Sequence, residues 1–521
     1  MPHSDPHPIY RPKARRFVST RTLRIASQFG VLGIWGALIV LTRHPIDSAL
    51  SRWIPVSILL RADPLVSTVV MGSMRVGVGI LFLGAVTAAV SIALGRVFCG
   101  WVCPLGSIFD FYSLILTTFK IKHHGPSPSW YRFKFYLLMV LVILACFGVA
   151  SPLIGLDPIV LLTRVMATVV SPLSYGSAWI DFSTLFLFAA IMAYTTRVSR
   201  IWCRTACPLG AYLGAVSRVS VLRRETDGCV QCQICSQSCP TGAIDFKDAE
   251  IYNESECIKC FVCSDVCPVD ANFFQFQKPV LFSETQTVVE LGRRDFMKTA
   301  ATAAILTPVL TLERGAHASP NQKDLIRPPM SRKEEDFLNS CIRCGECMKA
   351  CPTEVLRPAG FQHGLRALWT PVMNNLESYC KPGCNACSVA CPTDAIQKYP
   401  VEDKYAFKAG TAIFNSSLCI SYTEQKFCSD CIRQCPTNAI EFTKGWEPFA
   451  EQDKTGVAKF GADIPAPAGQ LPTRPTHIRF DLCIGCGACE SSCNQIVLGD
   501  PAMKNTSFGR ATESAVLKNK S

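Results

Sequence analysis

The chain has 521 residues, a positive mean hydropathy, 18% charged residues and a formal net charge of +12. Such a composition agrees with a membrane protein carrying soluble modules, and the length allows about three or four domains. The positive charge does not mark nucleic-acid binding, because the basic residues form no stripe interleaved with aromatics; they cluster beside apolar spans.

Residues 1–24 form a basic amino-terminal segment with Arg11, Lys13, Arg15, Arg16, Arg21 and Arg24. Four apolar spans follow: Ile25 to Thr42, Val76 to Leu94, Phe135 to Ala150 and Ala178 to Thr195. Each comes near the ~20 residues a helix needs to cross the hydrocarbon core. Arg96, Lys120, Lys122, Arg132 and Lys134 separate the second span from the third, and Arg197, Arg200, Arg204, Arg218, Arg223 and Arg224 follow the fourth. The loops on the other side are poorer in positive charge. The reading is a multi-pass α-helical membrane domain over residues 25–215, with both of its ends cytoplasmic in a bacterial inner membrane. Cys146 has no partner within the third span and reads as a small packed hydrophobe.

The membrane domain repeats itself. Arg61-Ala-Asp63-Pro64-Leu-Val, a span, and Cys99-Gly-Trp-Val-Cys103-Pro104-Leu105-Gly106 are matched by Gly155-Leu-Asp157-Pro158-Ile-Val, a span, and Cys203-Arg-Thr-Ala-Cys207-Pro208-Leu209-Gly210. Two parallel repeats imply a pseudo-twofold axis along the membrane normal. That axis brings the two C-x3-C-P pairs together at the cytoplasmic surface and the two Asp-Pro turns together at the opposite one. Cys99, Cys103, Cys203 and Cys207 could then offer four thiolates to one metal or cluster, act as dithiol redox pairs, or pack unligated. Asp63 and Asp157 could accept protons from a quinol, or serve only as helix caps. Arg75 and Asp181 are weaker intramembrane candidates of the same kind.

Residues 216–285 hold Cys229, Cys232, Cys235, Cys239-Pro240 and Cys257, Cys260, Cys263, Cys267-Pro268. A disulfide framework belongs to small secreted domains, and a zinc site rarely carries a fourth cysteine followed by proline. C-x2-C-x2-C-x3-C-P is instead the bacterial [4Fe-4S] signature, in which the fourth thiolate crosses to the neighbouring cluster. Cys229, Cys232, Cys235 and Cys267 should hold one cubane of a cytoplasmic α+β ferredoxin-like module, and Cys257, Cys260, Cys263 and Cys239 the other.

Residues 286–320 read as an internal export signal and fifth membrane segment. Arg293-Arg294-x-Phe296-x-Lys298 precedes apolar Ala300 to Leu312 and the small-residue site Ala316-His317-Ala318, in the order that the twin-arginine translocation machinery and signal peptidase would read. Residues 321–521 would then be periplasmic. They hold four more motifs: Cys341, Cys344, Cys347, Cys351; Cys380, Cys384, Cys387, Cys391; Cys419, Cys428, Cys431, Cys435; and Cys483, Cys486, Cys489, Cys493. The second and third have stretched first gaps, and the last has Asn494 where proline is expected. Pro465 to Pro475 reads as linker, and the tail after Gly499 as surface wrapping. The total is six [4Fe-4S] clusters.

These motifs carry a family resemblance. The first 285 or so residues resemble NapH, the membrane ferredoxin of periplasmic nitrate reduction, in the four spans, both C-x3-C-P pairs and the two-cluster module. The rest resembles NapG, its exported four-cluster partner, so the chain looks like a NapH–NapG fusion, with the MauN–MauM pair of methylamine oxidation also similar. The resemblance implies that the first and fourth exported motifs share one cluster pair and the second and third the other: Cys493 would complete the first cluster, Cys351 the last, and Cys435 and Cys391 would exchange in between. It also implies a quinol dehydrogenase that draws on the membrane quinone pool and serves a periplasmic reductase, such as nitrate reductase, or a cytochrome. The sequence has no C-x-x-C-H haem site, no G-x-G-x-x-G after a strand and no evident flavin or molybdenum motif, so terminal catalysis belongs to a partner. The competing class is a ferredoxin-type maturation protein or copper reductase that keeps a metal or thiol reduced.

Overall fold

The computed structural model describes residues 20–41, 57–74, 82–119, 131–149, 152–175, 182–278, 292–316, 325–447, 467–497 and 500–507. Arg75, Asp181 and the Ala316-His317-Ala318 site fall wholly or partly outside them. The chain divides into two units, and the division falls inside the helix that starts at Arg293.

In the first unit each sequence repeat becomes the same run of helices. The first run is α1 (Thr20–Leu41), α2 (Pro64–Met74), α3 (Phe82–Leu94), α4 (Val97–Trp101) and α5 (Pro104–Thr118). The second is α6 (Phe133–Cys146), α7 (Pro158–Tyr175), α8 (Phe182–Thr195), α9 (Ile201–Thr205) and α10 (Pro208–Val216). Proline opens α2, α5, α7 and α10, where its missing N–H costs nothing. Each Asp-Pro turn therefore starts a helix of its own before the apolar span. The equivalence extends to packing: α1 lies on α5 as α6 lies on α10, and α2 on α3 as α7 on α8.

Among the described residues one helix, Thr20–Ile39, is long and apolar enough to cross a membrane; Phe82–Leu94, Phe133–Cys146 and Phe182–Thr195 are shorter apolar helices. The helix Arg293–Ala316 has the length but does not pass the same test. Cys146 is exposed at the end of α6, not packed inside a core.

The ferredoxin-like module follows directly. β1 (Leu222–Thr226) and β2 (Asn272–Phe276) pair antiparallel and enclose both cysteine motifs. The second unit holds three more two-stranded antiparallel sheets: β3 (Leu356–Pro358) with β4 (Pro371–Met373), β5 (Thr411–Phe414) with β8 (Met503–Thr506), and β6 (Ile440–Thr443) with β7 (Arg474–Ile478). The last two correct the sequence reading. The end of the proline-rich run starts β7, and the tail after Gly499 supplies β8, because both find a partner edge beside a cysteine motif.

Candidate iron–sulfur sites

The cysteine loops share a backbone conformation that the spacing alone does not reveal. Residues on either side of the second cysteine are left-handed in four motifs: Gln231 and Gln233, Lys259 and Phe261, Arg343 and Gly345, Gly485 and Gly487. These alternating turns curl the loop, and in two of these motifs its cysteines border one small cavity. The third residue after the fourth cysteine is also left-handed in five motifs, at Gly242, Asp270, Glu354, Asp394 and Asn438. Non-glycine residues adopt this region sparingly, so its recurrence marks a loop shaped by what it encloses. The turn aims a backbone N–H at sulfur: Ala243 N–H donates to Cys239 Sγ at 3.3 Å, Ala271 to Cys267 at 3.2 Å and Ala439 to Cys435 at 3.2 Å. Such bonds stabilise thiolate charge and tune a cluster's potential. Cys493 lies inside the helix Ala488–Ile496, so this motif lacks the turn.

In the ferredoxin-like module Cys239 crosses over as expected, lining one small cavity with Cys257, Cys260 and Cys263. Cys229 and Cys232 act together on Cys235, which leaves Cys267 for that loop. In the second unit the implied pairing is wrong. Cys493 closes on Cys419, Cys428 and Cys431, while Cys435 lines a cavity with Cys483, Cys486 and Cys489. Cys351 acts on Cys380 and Cys387, and the helix Glu346–Lys349 packs on Ala386–Ala390, which Cys391 caps. Motifs therefore pair with their sequence neighbours, first with second and third with fourth. The reason is local: the helix Asp430–Arg433 packs against Ala488–Ile496, and β6 and β7 bridge the intervening loop. Among the described residues no three His, Cys, Asp or Glu side chains converge closely enough for a single metal ion. A cubane takes one thiolate per iron, and the crossed sets of four cysteines fit that donor arrangement.

The repeat axis does bring Cys99, Cys103, Cys203 and Cys207 together, all buried and within electrostatic reach of one another. Two further residues join them that the sequence reading had counted only as flanking charge. Arg96 and Arg200 each stand three residues before the first cysteine of their own pair, and both are fully buried. Each crosses to the opposite half. Arg200 donates to Cys99 O at 3.1 Å and Gly106 O at 3.3 Å, and Arg96 passes over Gly210, where an added Cβ would lie 2.9 Å from its guanidinium. The recurrent Arg-x-Φ-Cys, Arg96-Val-Phe98-Cys99 and Arg200-Ile-Trp202-Cys203, was the available signal.

The two arginines are neutralised differently. Arg200 makes a bidentate pair with Asp110 at 2.6 Å, and Asp110 also binds Arg24 and Gln28. Burial opposes ionisation of Asp110, but Arg200 first and then Arg24 outweigh it and hold the carboxyl down at about 2. Arg96 instead reaches the ferredoxin-like module, donating to Ser255 O at 2.5 Å and pairing with Glu256 at 3.4 Å. Glu256 also pairs with buried Lys134 at 2.5 Å. Backbones meet nearby: a Cβ on Gly100 would lie 2.4 Å from Ile258 O, and one on Gly214 would lie 2.7 Å from Ser255 O. The loop holding Cys257 and Cys260 is thus seated on the tetracysteine site.

Asp63 and Asp157 also meet, and both are fully buried. Each Oδ1 caps its own helix, accepting from Leu65 and Val66 N–H in one case and from Ile159 and Val160 N–H in the other. Apart from the other carboxyl, neither Oδ2 has a hydrogen-bond partner among the described residues. The helix-cap reading therefore holds for one oxygen of each carboxyl. The turns were expected at the surface opposite the cysteines, yet Asp157 lies close enough for its charge to act on Cys207.

Comparison with known proteins places these sites among iron–sulfur proteins. Models described as a 4Fe-4S binding domain match residues 76–122, 180–226 and 337–357, and a 4Fe-4S dicluster domain matches 228–271, 379–439 and 426–497. The chain is 30% identical to the methylamine utilization ferredoxin-type protein MauM of Methylorubrum extorquens over 41% of its own length and 88% of that protein. It is 30% identical to the ferredoxin-type protein NapG of Escherichia coli, covering 40% of the chain and 82% of NapG. The ferredoxin-type protein NapH of Escherichia coli is 28% identical over 42% of the chain and 74% of NapH. No solved structure matches.

Proposed function

Because the chain belongs to the ferredoxin-type iron–sulfur proteins of the NapG, NapH and MauM kind, we propose that it is a membrane-bound quinol dehydrogenase relaying electrons to a periplasmic reductase. The observation that carries this reading is the seating of the Cys257–Cys263 loop on the tetracysteine site through Arg96, Glu256 and Lys134. A ferredoxin bound this firmly to apolar helices suits exchange of electrons with a membrane-borne carrier.

In this reading six [4Fe-4S] clusters are held by the 24 motif cysteines. The clusters supply one-electron carriage, and the chain sets their potential through burial and N–H···S bonds. Burial pushes the Cys103, Cys203 and Cys207 thiols up, and Arg200 at Cys103 and both arginines at Cys203 work against it; together with Cys99 these thiols would hold a further cluster or metal. The paired Asp63 and Asp157 carboxyls can hold one proton between them, because two buried carboxylates so close do not both ionise. The apolar helices α1, α3, α6 and α8 form four spans, whose outward residues Ile34, Phe82 and Phe186 are exposed as lipid-facing side chains would be. The twin arginine at 293–294 starts export, which leaves residues 321–521 periplasmic. Reporters fused after Cys267 and after Cys493 test this topology. The expected readings are cytoplasmic and periplasmic, and both on one side would discard the fifth crossing.

A second reading, a maturation protein or copper reductase, draws on the same four buried thiols. Anaerobic protein mixed with a reduced menaquinol analogue separates the two. A quinol dehydrogenase is reduced by it; a metal reductase stays oxidised until dithionite is added.

A further inference from the structure

Within the first unit, α1, α5 and the ferredoxin-like module enclose a cavity of about 770 Å³, within the ~300–1,000 Å³ usual for small-molecule sites. Its wall changes character from one side to the other. Ile25 and Phe29 of α1 and Phe111 and Leu114 of α5 make an apolar side, and the Phe29 and Phe111 rings meet edge to face at 5.9 Å. Both rings are about half exposed, which leaves an aromatic surface free to receive a flat ring. The facing wall includes Cys239 and Pro240, so the cavity reaches a thiol of the Cys257–Cys260–Cys263 group.

The polar part of the wall has unused capacity of a particular kind. Arg204 Nε, Arg24 Nε and Ser113 Oγ are buried without a hydrogen-bond partner among the described residues, and all three residues line the cavity. Arg24 pairs with Asp110, while Arg204 donates to the neutral Tyr131 hydroxyl. Free donors of this kind suit a ligand bearing oxygen acceptors. An apolar approach, an aromatic surface, buried donors for ring oxygens and a cluster thiol at the back together describe a quinone ring with its apolar tail.

We infer that this cavity is the headgroup site for the membrane quinone, with the ring against the exposed faces of Phe29 and Phe111 and its oxygens toward Arg204 and Ser113. The inference rests on the quinol reading above and places the headgroup away from Asp63 and Asp157, whose full burial leaves no face for a ring. Those aspartates then act on protons alone.

Photolabelling of the full-length, cluster-loaded protein in lipid nanodiscs with an azido-menaquinone tests the location, with labelled peptides mapped by mass spectrometry. Label should concentrate on residues 21–32 and 107–117 and be displaced by unlabelled menaquinone. Ser113→Trp, which fills the cavity, should weaken labelling about tenfold, a loss of ~1.4 kcal/mol, with iron content and dithionite-reduced spectra unchanged. If Ser113→Trp fails to fold, the wild-type map decides by itself. Label near Asp63 and Asp157, or displacement by anionic phospholipid as effective as by menaquinone, overturns the site. In that event menaquinol would still reduce the clusters, whereas failure of the quinol reading itself would abolish both reduction and labelling.

Discussion

The two halves of the helical repeat share the run Arg-x-x-Cys-x3-Cys-Pro-Leu-Gly, yet they settle their buried arginines by different means. Arg200 finds Asp110 on α5, in the other half of the repeat, whereas Arg96 finds Ser255 and Glu256 in the ferredoxin-like module. Four residues after the motif glycine the first half has Asp110 and the second has Gly214. The side chain lost there admits the module's backbone, since Gly214 lies against Ser255 O. One departure from internal symmetry therefore converts half of the helical repeat into a docking face.

The sharpest way to break this comparison is at Glu256. Glu256→Gln leaves Arg96 and Lys134 buried without a carboxylate, and loss of one partner of such a set costs about 3–5 kcal/mol. The module should detach, visible as new protease cleavage near residues 226–228 and a lower unfolding temperature. Asp110→Asn should do less, about 2 kcal/mol, because Asp110 is partly exposed and Arg200 keeps carbonyl acceptors. It should leave the module attached. The same carboxyl predicts a pH response. Its folded value of about 2 lies below the unfolded ~3.9, so its contribution is complete above pH ~4 and is lost as pH falls toward 2. Asp110→Asn should flatten the acid limb of the stability curve, while Glu256→Gln should leave the Asp110 contribution to that limb in place. Backbone contacts give the smallest effect. Gly100→Ala, with a Cβ 2.4 Å from Ile258 O, should cost about 1–3 kcal/mol, and Gly106→Ala, 3.0 Å from Cys99 O, less than that.

The cysteines were legible in the sequence because thiolate spacing is local, and the crossing of Cys239 follows from the same two-cluster rule. The meeting of Asp63 with Asp157 and of the four C-x3-C thiols was legible too, because the repeat supplies an axis. The pairing of the second unit's motifs was not. Linear order does not say which small helices pack together, and here β6 with β7 and β5 with β8 draw Cys493 to Cys419, Cys428 and Cys431. Cys493→Ser should accordingly remove the signal of that cluster in electron paramagnetic resonance and spare the one reached by Cys435. Arg96 and Arg200 escaped for another reason. Counted as positive charge beside apolar spans they looked like topology signals, whereas each is fully buried across the repeat axis.

The most direct test of the central claim is anaerobic titration of the full-length, cluster-loaded protein in nanodiscs with a menaquinol analogue, followed by electron paramagnetic resonance. The account predicts that quinol reduces clusters that dithionite also reduces, and that Glu256→Gln slows this step without lowering iron content. Clusters that stay oxidised under menaquinol while dithionite reduces them would contradict it.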